Sequence, residues 1–307
     1  MKGITHFRLL AVAVATTIAA IGISSCSKKS SGGGGTTVQP LGGYVSSDSV
    51  ASANLIAYWP FDADGNDKKG GLTATTSGSP TYSTAGVRGN SYGGSTGAYL
   101  TFSLPSGGGA FNSLGSYTES FWFKVAAQDT LTQGIFFLEG TSTQDELITE
   151  IEPYMVGVAG SDDSVRIHTG FNDLASPAYQ LFVPETFDTN AVSKWVHQVI
   201  TYNGGTSVYT VYQNGIPMGT NSAFSSGKYV TPNTMYTDGT MATLLGNIGF
   251  TTDAPKTIVI GSWPDQLFGQ LAAKNNFLGQ LDEVRIFNKA LSQQEVAGLY
   301  LNGQAGR

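Results

Sequence analysis

Asp282 is the carboxylate whose position most clearly suggests chemistry. It lies in the run 281–287, where successive side chains of an extended strand point to opposite faces. Val284 and Ile286 mark the inward face, so the alternation predicts that Asp282 also points inward. A buried carboxylate needs hydrogen-bond donors or a cation. The sequence leaves two readings open: a Ca²⁺ ion, which prefers oxygen ligands, or backbone N–H groups of a nearby loop.

A second group of carboxylates crowds the loop at residues 62–67. Asp62, Asp64, Asn66 and Asp67 lie there within six positions. Such a loop can present oxygen ligands to a cation. The alternative is a solvated turn in which Asp and Asn bond to nearby backbone groups.

Glu150 and Glu152 are weak candidates for catalysis. They stand two apart in the predicted strand 147–152, so their carboxylates share one face. Retaining glycoside hydrolysis needs two carboxyls about 5–5.5 Å apart, whereas such neighbours lie about 6.5–7 Å apart along a strand. Pro153 follows directly. The spacing and the proline argue against catalysis by this pair, with hydrolysis left as an alternative.

Aromatic residues in loop-like stretches could contact sugars, because the C–H face of a sugar packs on an aromatic ring. Trp263 follows a predicted strand, and Tyr236 lies in the polar stretch 221–255. We take both as ligand-contact candidates, with internal packing as the alternative for Trp263. His197 lies within a predicted strand and is expected to be a hydrogen-bonded core residue.

Short strand-like runs separated by turn residues must position these groups. The runs are 55–61, 98–102, 117–125, 134–139, 147–152, 195–202, 207–213, 257–260 and 281–287. Asn214-Gly215 between two runs is a strong hairpin signal. Ser292 followed by Glu295 forms a capping box for a short C-terminal helix. The pattern predicts an all-β protein, a two-sheet antiparallel sandwich or a barrel.

Composition narrows the function classes. The formal net charge is −6 and charged residues make up 12% of the chain. No basic patch is visible, so we exclude nucleic acid as a partner. Cys26 is the only cysteine, which rules out a disulfide framework within one molecule.

The N-terminus reads as an export signal. Basic residues open the chain, the apolar run 9–23 follows, and Cys26 closes it in the sequence Ile-Ser-Ser-Cys. The run is shorter than the roughly 20 residues that a spanning helix needs, as in a secretory signal. The pattern resembles a bacterial lipobox, in which the cysteine becomes the acylated first residue of the mature chain.

Three segments follow from this interpretation. Residues 1–25 are predicted to be a lipoprotein signal peptide. Residues 26–49, rich in Ser and Gly, are predicted to be a flexible tether. Residues 50–307 are predicted to be one β domain. The protein would be exported and lipid-anchored in the bacterial envelope, at the outer membrane.

The ordered motifs resemble a laminin-G-like (LamG) domain of the concanavalin A-like lectin/glucanase superfamily. The matching pieces are 57–62 with 67–70, 117–125, 195–199 with 209–217, and the closing run 277–292. The resemblance implies a two-sheet jelly roll that binds glycans or proteins, often with one Ca²⁺. It also places the opening loop beside the closing strand, so that Asp62 and Asp67 would join Asp282 on one structural ion.

The resemblance also bears on function. Glycosidases of this superfamily carry three acids at alternate positions of one strand, but here the third position is Tyr154. We therefore expect a lipid-anchored envelope module that binds a glycan. The alternatives are a divergent glycoside hydrolase that acts on a polysaccharide, or an adhesion lipoprotein that binds a protein.

Overall fold

The computed structural model describes residues 38–126, 131–140, 146–151, 165–173, 179–188, 191–206, 208–218, 234–237, 240–244, 246–250, 253–264 and 275–307. Cys26 and Glu152 lie outside these residues. For Tyr236 the backbone is described and the side chain is not.

Besides two short 3₁₀ helices at Ser47–Ser49 and Gly109–Phe111, the described chain contains seventeen strands and one α-helix. They are β1 (Leu55–Trp59), β2 (Thr75–Ser77), β3 (Thr81–Ala85), β4 (Asn90–Gly93), β5 (Tyr99–Ser103), β6 (Tyr117–Val125), β7 (Gln133–Glu139), β8 (Leu147–Ile151), β9 (Val165–Asp173), β10 (Tyr179–Asp188), β11 (Val196–Asn203), β12 (Val208–Gln213), β13 (Ile216–Pro217), β14 (Thr234–Thr237), β15 (Thr240–Leu244), β16 (Thr257–Ile260), β17 (Gly279–Phe287) and α1 (Gln293–Gln304).

Two antiparallel sheets form a sandwich, as the sequence predicted. The eight-stranded sheet has the order β13-β12-β11-β6-β17-β4-β3, and β1 also pairs with β17. The seven-stranded sheet has the order β10-β9-β8-β7-β16-β5-β2. Strands β14 and β15 form a separate hairpin. The first and last long strands, β1 and β17, are therefore neighbours.

The inward faces of the two sheets bury an aromatic core. Trp59 of β1 packs against Phe102 of β5 and Phe136 of β7, with ring centroids 5.3 and 6.1 Å apart. All three side chains have no exposed surface. Alternate residues along each strand supply this core, and burial of such rings contributes most of the apolar stabilisation.

Helix α1 covers part of the outer face of the eight-stranded sheet. Its start is the predicted capping box: the Ser292 hydroxyl accepts from Glu295 N, and Glu295 Oε2 accepts from Ser292 N at 2.8 Å. Leu291 and Val296, on either side of the cap, are buried in the cluster that joins the helix to the sheet. The cap and the apolar contacts therefore fix where the helix begins.

Residues 38–49 differ from the predicted tether. The carbonyl of Leu41 accepts from Asn302 Nδ2 at 3.0 Å, and Ser47 N donates to the carbonyl of Arg307 at 3.1 Å. Tyr44 packs beside Gly298 of α1. The segment is thus part of the folded domain, because its partners at the far end of the chain satisfy its backbone.

Candidate functional site

Asp282 lies on the opposite face of its strand from the one that alternation predicted. Strand β17 pairs Asp282 with Trp122 and then Arg285 with Ser120, so Glu283 and Val284 together oppose one residue of β6. Glu283 has φ +54°. This β-bulge shifts the alternation by one residue. Leu281 and Val284 face the core, and Asp282 faces outward with Arg285.

The Asp282 carboxylate is buried and accepts backbone N–H groups. Its Oδ2 accepts from Val87 N at 2.7 Å and from Arg88 N at 3.0 Å. Its Oδ1 is buried and has no hydrogen-bond partner among the described residues. Burial raises the pKa of the Asp282 carboxyl to about 8, despite the backbone hydrogen bonds. The arrangement matches the hydrogen-bonding alternative that the sequence left open.

Asp62 and Asp67 also hold loops. Asp62 Oδ1 accepts from Asn90 N at 3.1 Å, and Gly89, with φ +67°, leaves no space for a Cβ beside that oxygen. Asp67 is buried, and its Oδ1 accepts from Tyr58 N and Lys69 N, both at 2.8 Å. Each carboxylate therefore has a structural role that needs no ion.

The three predicted metal ligands are not gathered into one group. In the described part of the chain, no three His, Cys, Asp or Glu side chains form a set that could hold a metal ion. Asp67 directs both oxygens at backbone N–H groups, since Oδ2 also accepts from Leu72 N at 3.4 Å. Asp282 Oδ1 is the one oxygen of the three carboxylates that is both buried and without a described partner.

An ionic network that the sequence reasoning missed surrounds Asp282. The buried Arg285 contacts Glu283 Oε2 at 2.5 Å and Asp48 Oδ1 at 3.0 Å. Arg88 binds both oxygens of Asp48 at 2.7 Å. The Arg285 guanidinium lies 4.3 Å from the centre of the Tyr58 ring. The motif Asp-Glu-Val-Arg in β17 was the available signal, but Asp48 lay in the presumed tether.

His197 is a neutral core residue, as predicted. Its Nε2 lies 3.0 Å from the hydroxyl oxygen of Ser120, and its ring stacks on Trp122 at 4.8 Å. Burial lowers the pKa of His197 to about 3, so the ring carries no charge near neutral pH.

The outer face of the seven-stranded sheet carries Glu150, one of the two weak catalytic candidates. Glu150 is buried there, and its Oε1 lies 2.8 Å from Nδ1 of His168 on the neighbouring strand. Thr149, between Ile148 and Glu150, points into the core, where its hydroxyl donates to Glu119 Oε2 at 3.0 Å. The proposed partner of Glu150, Glu152, lies outside the described residues.

Trp263 lies at the end of β16, on the same outer face. Its ring packs against a small apolar cluster formed by Phe137, Ile148 and Val259, and Tyr99 packs against the same cluster. Trp263 and Tyr99 are partly exposed, whereas the three cluster residues are buried. Trp263 Nε1 is buried and has no partner among the described residues. The structure thus supports surface exposure of Trp263 and also the packing role that was the alternative.

Glu119 was not singled out from the sequence. It lies in the sandwich core on β6, and burial raises its pKa to about 8. The hydroxyl oxygens of Thr149 and Thr169 lie 3.2 Å apart, and that of Thr169 lies 2.9 Å from the Tyr209 hydroxyl. These contacts extend a chain of polar groups across the core. A charged residue in an otherwise apolar strand pattern was the available signal.

Comparison with known proteins supports the fold. Residues 93–239 match the laminin G family model of the Concanavalin A-like lectin/glucanases superfamily. A search of the curated proteins found no match. Within the ranges described here, no helix is long and apolar enough to cross a membrane.

Solved structures that are similar to this chain include three of different origin. The binding domain of botulinum neurotoxin serotype G is 14% identical with a TM-score of 0.51, over 81% of this chain and 51% of that one. Domain 4 of AbnA, a GH43 extracellular arabinanase from Geobacillus stearothermophilus in complex with arabinotriose, is 21% identical with a TM-score of 0.47, over 80% and 98%. The heptameric SAP-like pentraxin from Limulus polyphemus is 20% identical with a TM-score of 0.41, over 66% and 75%.

Proposed function

We propose that this chain is a non-catalytic binding module, anchored to the bacterial envelope by a lipid at Cys26, that recognises a carbohydrate on the outer face of its seven-stranded sheet. The superfamily of the matching family model includes lectins by its description. The fold itself does not decide the ligand. The observation that carries the proposal is the pair of partly exposed aromatic rings at Trp263 and Tyr99.

Both rings pack against a cluster of buried apolar side chains. Phe137, Ile148 and Val259 come from three neighbouring strands, β7, β8 and β16, and fill the space beneath Trp263. A sugar needs such a flat, rigid apolar surface for its C–H face, together with polar groups that fix its orientation. Trp263 Nε1 is buried, so the partly exposed ring face of Trp263 is the part of this side chain that would contact the sugar.

A mutation of Trp263 tests the ligand face. Trp263→Ala should weaken binding to oligosaccharides on a glycan array at least tenfold, because it removes the partly exposed ring on which the sugar would pack. The control is Ile216→Ala, which removes an apolar side chain that is 69% exposed on the edge strand of the other sheet. Equal binding by the two variants, with unchanged circular dichroism, would refute this ligand face.

The anchor has its own test. Cys26 follows a short apolar run that resembles a lipobox, and it is the only thiol in the chain. Cys26→Ser should release the protein from membranes or leave it unprocessed, since stable attachment depends on the acyl chains. Normal processing with unchanged membrane retention would contradict the lipoprotein proposal.

Glycoside hydrolysis is the second candidate function. The observation in its favour is the buried Glu150–His168 contact of 2.8 Å on the proposed ligand face. If the chain is a hydrolase, Glu150→Gln should abolish sugar release from a polysaccharide and leave glycan binding in place. If wild-type protein binds glycans and releases no sugar, the binding module remains. A stable protein partner without glycan binding would instead support the adhesion alternative.

A further inference from the structure

We propose a second carbohydrate site, a groove on the outer face of the eight-stranded sheet, that takes a short neutral oligosaccharide. The groove lies between strands β11 and β12 and the beginning of helix α1, and has a volume of about 530 Å³. That is within the usual range for small-molecule sites, roughly 300–1,000 Å³. It is on the opposite sheet from Trp263, so it does not depend on the ligand face proposed above.

The floor of the groove is a surface of hydroxyl groups. Thr201 of β11 and Thr210 of β12 are directly opposite each other in the sheet. The Tyr212 side chain lines the same groove, and the Thr201 hydroxyl donates to the carbonyl of Thr210 at 3.5 Å. Each hydroxyl can donate one hydrogen bond and accept others, which is the pattern that complements the hydroxyls of a sugar.

One wall is fixed before any ligand arrives. The Thr118 hydroxyl donates to the carbonyl of Lys289 at 2.7 Å and accepts from Leu291 N at 2.9 Å. Thr118 is fully buried and lies opposite Thr201 in the sheet. The wall and the floor are therefore tied together by one side chain, and a ligand would bind without the cost of ordering the groove.

The charges of the wall favour a neutral ligand. Lys289 Nζ contacts Glu295 Oε1 at 2.5 Å, so the two charges compensate each other. A free helix N-terminus attracts anions, but here Glu295 Oε2 already accepts from Ser292 N and from the Ser292 hydroxyl, both at 2.8 Å. The carboxylate thus occupies the place that a phosphate or an acidic sugar would need.

Aromatic surface completes the site. The Tyr44 ring borders the groove from the N-terminal segment, and the largely buried Tyr212 ring lies in its floor. The ligand would contact the face of the sheet and not its hydrogen-bonding edges, which are β13 and β3. Addition of a peptide strand is therefore not the mode of binding that this groove serves.

The test uses the full-length chain and a panel of neutral trisaccharides: arabinotriose, xylotriose, maltotriose and cellotriose. The double variant Thr210→Val with Tyr212→Phe keeps the shape of the floor and removes two hydroxyls. We expect calorimetry to show that the double variant binds at least one of these trisaccharides with an affinity at least tenfold lower than that of wild type. Ile216→Ala is the matched control. The affinity for sialyllactose, an acidic sugar, should be the same for wild type and the double variant, because the groove is not expected to bind it.

Trp263→Ala separates the two proposals. If it retains the trisaccharide affinity that the double variant loses, the groove binds these sugars and Trp263 does not contribute to that binding. If Trp263→Ala loses affinity and the double variant binds like wild type, the groove is refuted and the proposed function stands. Binding of no panel member to wild type overturns the groove.

Discussion

At Asp282, burial and backbone hydrogen bonds act on the carboxyl in opposite directions, and burial prevails. The folded-state pKa is raised from 3.8 to about 8. Between these values the folded chain keeps the proton and the unfolded chain loses it. The unfolded state then binds fewer protons, so stability falls as pH rises through this window.

Asp282→Asn should remove this contribution to the pH dependence. In the absence of calcium, we expect the wild-type free energy of unfolding to fall by about 1.4 kcal/mol per pH unit more steeply than that of the variant between pH 5 and 7. Denaturant unfolding at a series of pH values measures the slope. The conservative amide keeps the shape and an acceptor for Val87 N and Arg88 N. Parallel slopes would show that Asp282 is already ionised in the fold.

A bound calcium ion would require Asp282 to be ionised, whereas burial alone keeps its carboxyl protonated. Structural Ca²⁺ stays a proposal: Asp282 Oδ1 is the oxygen available to it, because Asp62 and Asp67 accept from loop N–H groups. Saturating calcium would stabilise the domain by about 2.7 kcal/mol at 100 times the dissociation constant. Chelator should then lower the melting temperature of wild type by several degrees and leave Asp282→Asn unchanged. Identical melting with calcium and with chelator, and no metal in elemental analysis, would exclude the ion.

Sequence identified the important carboxylates and not their surroundings. Asp62, Asp67 and Asp282 all proved structurally engaged. Their partners are backbone groups of loops, and which loop approaches a carboxylate depends on the tertiary fold. The direction of Asp282 depended on the bulge at Glu283, and a positive φ at a glutamate leaves no trace in a hydrophobic pattern.

Among the elements, the buried strands were the predictable ones. The predicted bounds of β6 and β16 agree with the structure, because apolar and aromatic residues dominate both. Strands β2 and β3 consist largely of exposed Thr and Ser and were missed. Strand β9 contains Gly170, Asn172 and Asp173, which disfavour strands as isolated residues. Gly170 pairs with strands on both sides, whereas Asn172 and Asp173 pair with β10.

The start of helix α1 was predicted from its capping box, and the contribution of this cap to the free energy of unfolding can be measured. Ser292→Ala should lower the free energy of unfolding by about 0.5–2 kcal/mol, because Glu295 N loses its acceptor. Ser103→Ala, on an exposed strand position, is the control. A loss confined to the control, or equal losses in both variants, would argue against the cap.

For the whole molecule, the two-sheet architecture followed from the sequence and the extent of the domain did not. Flexible composition continues from the Gly run to the residues just before Val50, so no local signal marks Val38. The contact that orders the segment joins Ser47 to Arg307, 260 positions apart. Local patterns cannot show such a contact.

Removing residues 38–49 should therefore destabilise the domain. A chain that begins at Val50 loses Asp48, and the buried Arg285 then keeps only Glu283 of its two carboxylate partners. It also lacks Tyr44, so the apolar surface of α1 that Tyr44 covers becomes exposed. We expect a melting temperature several degrees below that of a chain beginning at Val38. Equal melting temperatures would mean that the segment rests on the domain without stabilising it.

The pairing of residue 47 with the C-terminal Arg307 also determines how the domain responds to mechanical load. A pull on Val38 is first resisted by hydrogen bonds to Asn302 and Arg307 and by the two arginine contacts of Asp48. These contacts lie before β1 along the chain, so they carry the load before β1 does and pass it to α1 and to Arg285 of β17. A domain held by its N-terminus in flowing medium would thus be loaded first at this junction, before β1 is pulled from the sheet.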